Sequence, residues 1–128
     1  MKRQMTQTYL MVTDVEESRA FYEEVLGLET TSVAPDRVKF DTGPATLVLE
    51  EDFDEAVLSA FGLEPPGDSR GDGVVVVIEV DDVDGIYEMA VDAGATALIE
   101  PRDVDWGRRL FLLEDPDGYV LEISRPVE

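Results

Sequence analysis

A pattern set down twice limits what this chain can fold into. Val12-x-Asp14-Val15 recurs as Val80-x-Asp82-Val83, 68 positions further on, and Gly27 is matched by Gly94 at nearly the same distance. In each copy an apolar run, Met5–Val12 or Val74–Val80, comes before the aspartate and reads as a strand. Apolar residues at near-helical spacing follow it: Val15, Ala20, Phe21, Val25 and Leu28 in the first copy, Val83, Ile86, Tyr87, Ala90 and Val91 in the second. Asp14 and Asp82 stand where helix N-caps belong. Asp14 also has Glu17 three positions on, a capping-box arrangement, and the two glycines stand where the helices should end. Chance likeness of two amphipathic helices is the competing explanation. The strands that follow each helix favour duplication.

Those further strands are expected at about Glu29–Val33, Arg37–Asp41 and Ala45–Glu50 in the first half, with turns at Pro35-Asp36 and Gly43-Pro44. A short helix is expected over Phe53–Phe61. In the second half they are expected at about Thr96–Ile99, Arg108–Glu114 and Tyr119–Ser124, the last two joined by the turn Asp115-Pro116-Asp117-Gly118. Residues 63–73, rich in proline and glycine, read as a flexible linker. The expectation is one domain of 128 residues made of module one (1–62), a linker (63–73) and module two (74–128).

Composition removes several functions. No cysteine is present, so disulfides and thiolate metal sites are out, and no histidine is present, which removes the commonest general base and transition-metal ligand. Thirty acidic residues against ten basic ones give a net charge of −20, which disfavours nucleic acid because phosphates require a basic footprint. The acids are spread between apolar segments, so they do not form a disordered tail. A cationic partner is one reading of them. Adaptation to concentrated salt, as in a halophile, is the preferred one, because screening tightens to roughly 3 Å at 1 M. No apolar stretch approaches the roughly 20 residues that span a bilayer, and the expected setting is cytoplasmic, with no membrane partner.

The stretch from Gln7 through Asp14, Ser18, Phe21-Tyr22 and Leu26-Gly27-Leu28 resembles the opening of a module of the vicinal oxygen chelate superfamily, which includes glyoxalases, bleomycin-resistance proteins and ring-cleaving dioxygenases. Glu114-Asp115-Pro116-Asp117-Gly118-Tyr119-Val120-Leu121-Glu122 resembles its closing hairpin. The resemblance covers essentially the whole chain. It implies an α+β fold of two βαβββ modules whose mixed sheet curls into a cup with helices outside, and it implies a homodimer. In metal-dependent members the first and last strands of each module supply ligands. Carried across, these positions are Gln7, Glu50 (with Leu49 and Glu51 as register alternatives), Val75 and Glu122.

Strand alternation addresses the same residues without the family. If Leu10 and Val12 face the helix, then Gln7, Tyr9 and Met11 face the cup. By the same rule Val75, Val77 and Glu79 face inward on the fifth strand, and Val120, Glu122 and Ser124 on the last. A carboxylate such as Glu122 among apolar neighbours calls for a partner. Alternation sends one of Arg108 and Arg109 inward, to meet Glu122 or an anionic substrate. Tyr9, Met11 and Trp106 would give an apolar, partly aromatic lining for a small organic molecule, with Glu79 and Arg108 beside it. Three functions are open, one of them a stand-alone subunit or regulatory module that has lost both ligand binding and catalysis; the other two use the cup. One is a binding protein that holds a small organic molecule in the cup without a complete metal site. The other is a lyase or isomerase of the glyoxalase type that uses a divalent ion on Gln7, Glu50 and Glu122, with Glu122 catalytic; the sequence does not choose among Mg²⁺, Mn²⁺, Ni²⁺ and Zn²⁺. The valine at position 75 cannot ligate and disfavours the second.

Overall fold

The computed structural model describes residues 2–127; Met1 and Glu128, the outer limits of the two expected modules, lie outside the described residues. The chain divides into two compact units, Met1–Asp68 and Ser69–Glu128. Unit one carries β1 (Gln7–Val12), α1 (Val15–Ala20), β2 (Glu29–Ala34), β3 (Arg37–Asp41), β4 (Thr46–Glu51) and α2 (Glu55–Ala60). Unit two carries β5 (Val75–Glu79), α3 (Val83–Asp92), β6 (Ala97–Val104), β7 (Arg108–Glu114) and β8 (Val120–Pro126). The βαβββ order therefore occurs twice, in an α+β fold, and the strands form two four-stranded mixed sheets of matching order, β1-β4-β3-β2 and β5-β8-β7-β6. In each sheet the first and last strands of the module pair in parallel and the other pairs are antiparallel.

Each sheet buries one face under its own helix. In unit one Leu10, Val12, Val38, Phe40, Leu47 and Leu49 are buried along with Val15 and Tyr22, and α1 packs on β3 and β4. In unit two Phe111, Leu113, Leu121 and Ile123 meet Val83 and Ala90. Packing has to hold these helices. The six residues of α1 fall well short of the ~12–15 that are even marginal alone, and each buried aliphatic side chain contributes about 1.5–3 kcal/mol.

Three local features differ from expectation. The first helix is not regular throughout: α1 passes into a π-helical segment, Phe21–Val25. That segment buries Tyr22 completely, its ring 5.8 Å from that of Phe40. Leu28 N–H then closes on the Tyr22 carbonyl at 3.0 Å, six residues back, whereas α3 closes from Ala95 to Ala90, five back; the wider closure accommodates the extra residue of the π turn. Gly27 and Gly94 both take positive φ, as the C-terminal turn requires.

Second, β6 runs past Pro101 to Val104 rather than stopping near Ile99. It is an edge strand with an irregular register between Ile99 and Arg102, where a missing N–H costs the ladder nothing.

Third, the stretch expected to be a flexible linker is fixed at its end. Arg70 and Asp117 side chains are 11% and 4% exposed and lie 3.9 Å apart. Gly71 is buried against the β7–β8 turn so closely that a Cβ there would overlap the Gly118 carbonyl and sit 2.9 Å from the Tyr119 Cα.

Candidate functional site

The faces of the two sheets turned away from their helices carry the residues of interest. In unit one, pairing sets Gln7 beside Thr46, Tyr9 beside Val48 and Met11 beside Glu50; Asp41, Lys39 and Arg37 continue these three rows on β3. Gln7, Tyr9 and Met11 therefore share a face with Glu50, and the register alternatives separate. Leu49 belongs to the core. Glu51 points to the helix side, where its carboxylate accepts a hydrogen bond from the Val15 N–H at 3.2 Å and adds to the Asp14 cap of α1.

Glu50 is 1% exposed. Its Oε1 accepts from Arg37 Nε at 2.8 Å and lies 2.6 Å from Arg37 Nη2. The pair with Glu50 raises the Arg37 pKa, and Tyr9 adds a smaller electrostatic contribution in the same direction.

In unit two Val75 pairs with Val120, Val77 with Glu122 and Glu79 with Ser124, and Leu112 flanks Glu122 from β7. Glu122 is partly buried between two apolar neighbours. Arg108 turns to this face and Arg109 to the other. Arg108 donates to the buried Ser124 hydroxyl at 2.8 Å and to Glu79 at 3.2 Å. It does not pair with Glu122, because Glu122 sits opposite Leu112, four residues along β7, roughly 13 Å away at the usual strand rise. On the helix side Arg109 binds Asp84 of α3 at 2.7 Å and Asp103 at 3.0 Å. Its hydrogen bond is the main reason the Asp84 carboxyl titrates below the usual range. Trp106 lies in the β6–β7 turn and is 69% exposed.

The donor set does not fit a metal ion. Gln7 pairs with Thr46, and Glu50 stands four residues further along the same strand beside Met11, roughly 13 Å on. The Glu50 oxygen is also already held by Arg37. The duplicated register sharpens this point: Gln7 is to Thr46 as Val75 is to Val120, so the counterpart of Glu122 in module one is Val48, not Glu50. Two of the four positions are then valines. Among the described residues no three His, Cys, Asp or Glu side chains are grouped to hold an ion.

Sequence reasoning passed over Arg37 and Lys39. Alternation in Arg37-Val38-Lys39-Phe40 would have found them, since Val38 and Phe40 are both fully buried on the helix side. Ser124, set on the inward face by alternation, was not assigned its role of fixing Arg108.

With this geometry in hand, comparison with known proteins is direct. Residues 4–123 match the family described as the Glyoxalase/Bleomycin resistance protein/Dioxygenase superfamily. The chain belongs to that superfamily. Among relatives of this superfamily member, CFP32 of Mycobacterium bovis, whose glyoxylase name is itself provisional, is 30% identical over 107 residues, covering 84% of this chain and 38% of that protein. An uncharacterized protein of Mycobacterium tuberculosis strain H37Rv is 34% identical over 62 residues, 48% of this chain and 36% of the other. The chain thus spans about two-fifths of the length of the curated relatives it matches. A glyoxalase-related enzyme from Fulvimarina pelagi superposes with a TM-score of 0.80 at 22% identity, covering 96% of this chain and 88% of that one. A family enzyme from Burkholderia phytofirmans gives 0.80 at 21%, covering 98% and 100%. At such identities these structures speak for the fold alone. Among the described residues no helix is long and apolar enough to cross a membrane.

Proposed function

We propose that this superfamily member binds a small organic molecule on the helix-free faces of its sheets without a resident metal ion. The observation that carries the reading is the donor set: valines at positions 75 and 48, and a Glu50 carboxylate engaged by Arg37. What remains on those faces is apolar and aromatic surface, Tyr9 and Val77 being about half exposed, beside a few fixed polar groups, the usual make-up of a small-molecule site. Frequent dimerisation in the superfamily extends to this chain in our reading, and light scattering checks it. The acidic excess belongs to the same proposal, as adaptation to concentrated salt.

Calorimetric titration with Mg²⁺, Mn²⁺, Ni²⁺ and Zn²⁺ in molar KCl tests the metal-free half. The expected result is no isotherm tighter than about 1 mM. A tighter isotherm that disappears in Gln7→Ala and Glu122→Ala would overturn the metal-free reading and favour the metal-dependent lyase or isomerase. Nile red fluorescence tests the binding half, with enhancement expected in the parent and reduced in Tyr9→Ala. No enhancement in the parent would sink it.

A further inference from the structure

The charge pattern of unit one names a ligand class. Arg19, Arg37, Arg70, Arg108 and Arg109 each have a carboxylate within 4 Å. Lys2, Arg3, Lys39, Arg102 and Arg125 have no such partner among the described residues, and of these five only Lys39 and Arg125 are not fully exposed, Arg125 lying on the helix side opposite Arg109. Lys39 is also partly buried. It lies in mid-strand between the core residues Val38 and Phe40, on the helix-free face, directly beside Val48, which is fully buried. A cation half-withdrawn from water next to apolar surface is costly unless a counter-charge arrives.

Arg37 is two residues away on the same strand and the same face, so the two Cα atoms are about 7 Å apart. Glu50 engages the guanidinium through Nε and Nη2 and thereby fixes its plane. Nη1 has no acceptor among the described residues. On the same face Met11 is partly exposed, Val48 is fully buried, and Tyr9 stands half exposed at the edge strand. Tyr9 is also close enough to Arg37 to influence it electrostatically. Two cations beside the thioether of Met11 and the ring of Tyr9 select an anionic head on an apolar body.

We propose that the helix-free face of the first sheet takes a small monoanion, a carboxylate with a flat apolar or aromatic body, whose head meets Lys39 and the free edge of Arg37 while the body lies against Met11 and Tyr9. This rests on the reading of the chain as a small-molecule-binding protein and adds the charge of the ligand. Glu50 has a positioning role, since it touches Arg37 and not the ligand.

Three naphthalene probes that differ in the charge of the head test it by calorimetry in molar KCl: 2-naphthoate, its neutral isostere 2-naphthamide and the cationic 2-naphthylmethylammonium. Naphthoate should bind at least about tenfold tighter than the amide and the ammonium weakest. Lys39→Met should erase the preference for naphthoate without changing the amide isotherm, which also reports that the variant is folded. Lys39→Arg should keep the preference, and Lys2→Met should leave every isotherm as in the parent. Equal binding of all three probes, or a preference that survives Lys39→Met, would overturn the inference while leaving metal-free binding intact. If none of the three binds at millimolar concentration the inference also falls, and the Nile red and metal titrations then decide the broader reading separately.

Discussion

Glu50 is a buried carboxylate whose charge is met by one side chain, Arg37. Removing one partner of such a pair strands a charge, whereas replacing both removes the desolvation cost together with the attraction. Arg37→Met should therefore lower the melting temperature more than the double variant Arg37→Met/Glu50→Leu. A double variant at least as unstable as the single one would show that the pair does not act as a unit. A second residue carries a pH signature. Burial is the main cause that raises the pKa of the Tyr119 phenol, with Arg70 opposing it. The folded state therefore holds this proton more tightly than the unfolded state. The resulting stability is complete below the ordinary phenol value of about 10 and is lost as pH climbs through the raised one. Urea midpoints should fall above about pH 10 in the parent and fall less in Tyr119→Phe; parallel curves would count against it. At this scale the sequence was legible wherever a property is local. Alternation places Gln7, Tyr9, Met11 and Glu122 opposite the helix-packed residues without any knowledge of neighbours. The partner of Arg108 was not legible, because Glu79 reaches it across β8 and strand order is a tertiary fact.

At the level of elements, most boundaries followed from caps, turns and alternation. The misses have physical causes. Pro101 ends a strand only where its N–H would be needed, and on the edge strand β6 it is not. The π segment at Phe21–Val25 leaves no composition mark, because it is selected by the burial of Tyr22 against Phe40. Residues 63–73 look flexible, yet Gly71 is chosen for close approach to the β7–β8 turn and not for freedom. Gly71→Ala should therefore cost about 1–3 kcal/mol through forced backbone shifts, measured by chemical denaturation; a change within 0.5 kcal/mol would mean the segment can move aside. The two duplicated helix starts also differ usefully. Asp14 caps two N–H groups and is backed by Glu51, whereas Asp82 caps Gly85 alone. Asp82→Ala should cost about 1 kcal/mol. Glu51→Gln, which keeps an acceptor for the Val15 N–H, should cost only a few tenths.

For the whole molecule, charge is the dominant fact and duplication the organising one. Doubling a βαβββ unit supplies two sheets, each with one face under its helix and one face turned away from it, and it does so with the same register in both halves. That shared register is why Val48 and Val75 bear on metal binding together, a conclusion neither residue supports alone. A net charge of −20 on 128 residues then acts on every part of the fold at once. The compact state brings these carboxylates closer together than the unfolded chain does, so self-repulsion opposes folding. At 0.1 M salt the screening length is about 10 Å, comparable to the spacing of neighbouring surface charges, and at 1 M it falls to about 3 Å, inside that spacing. The local ion pairs do not reverse this trend, because Arg37–Glu50 and Arg109–Asp84 are hydrogen-bonded contacts of 2.6 and 2.7 Å, shorter than the screening length even then. The melting temperature should therefore rise continuously from 0.1 to 2 M KCl. Most of the gain should fall below about 1 M if repulsion is the cause, since further salt then shortens an already short length. Sucrose at matched osmolality separates this from general exclusion effects, which favour burial whatever the charge. A curve that is flat in KCl, or one that sucrose reproduces, would remove self-repulsion as the main constraint on this fold.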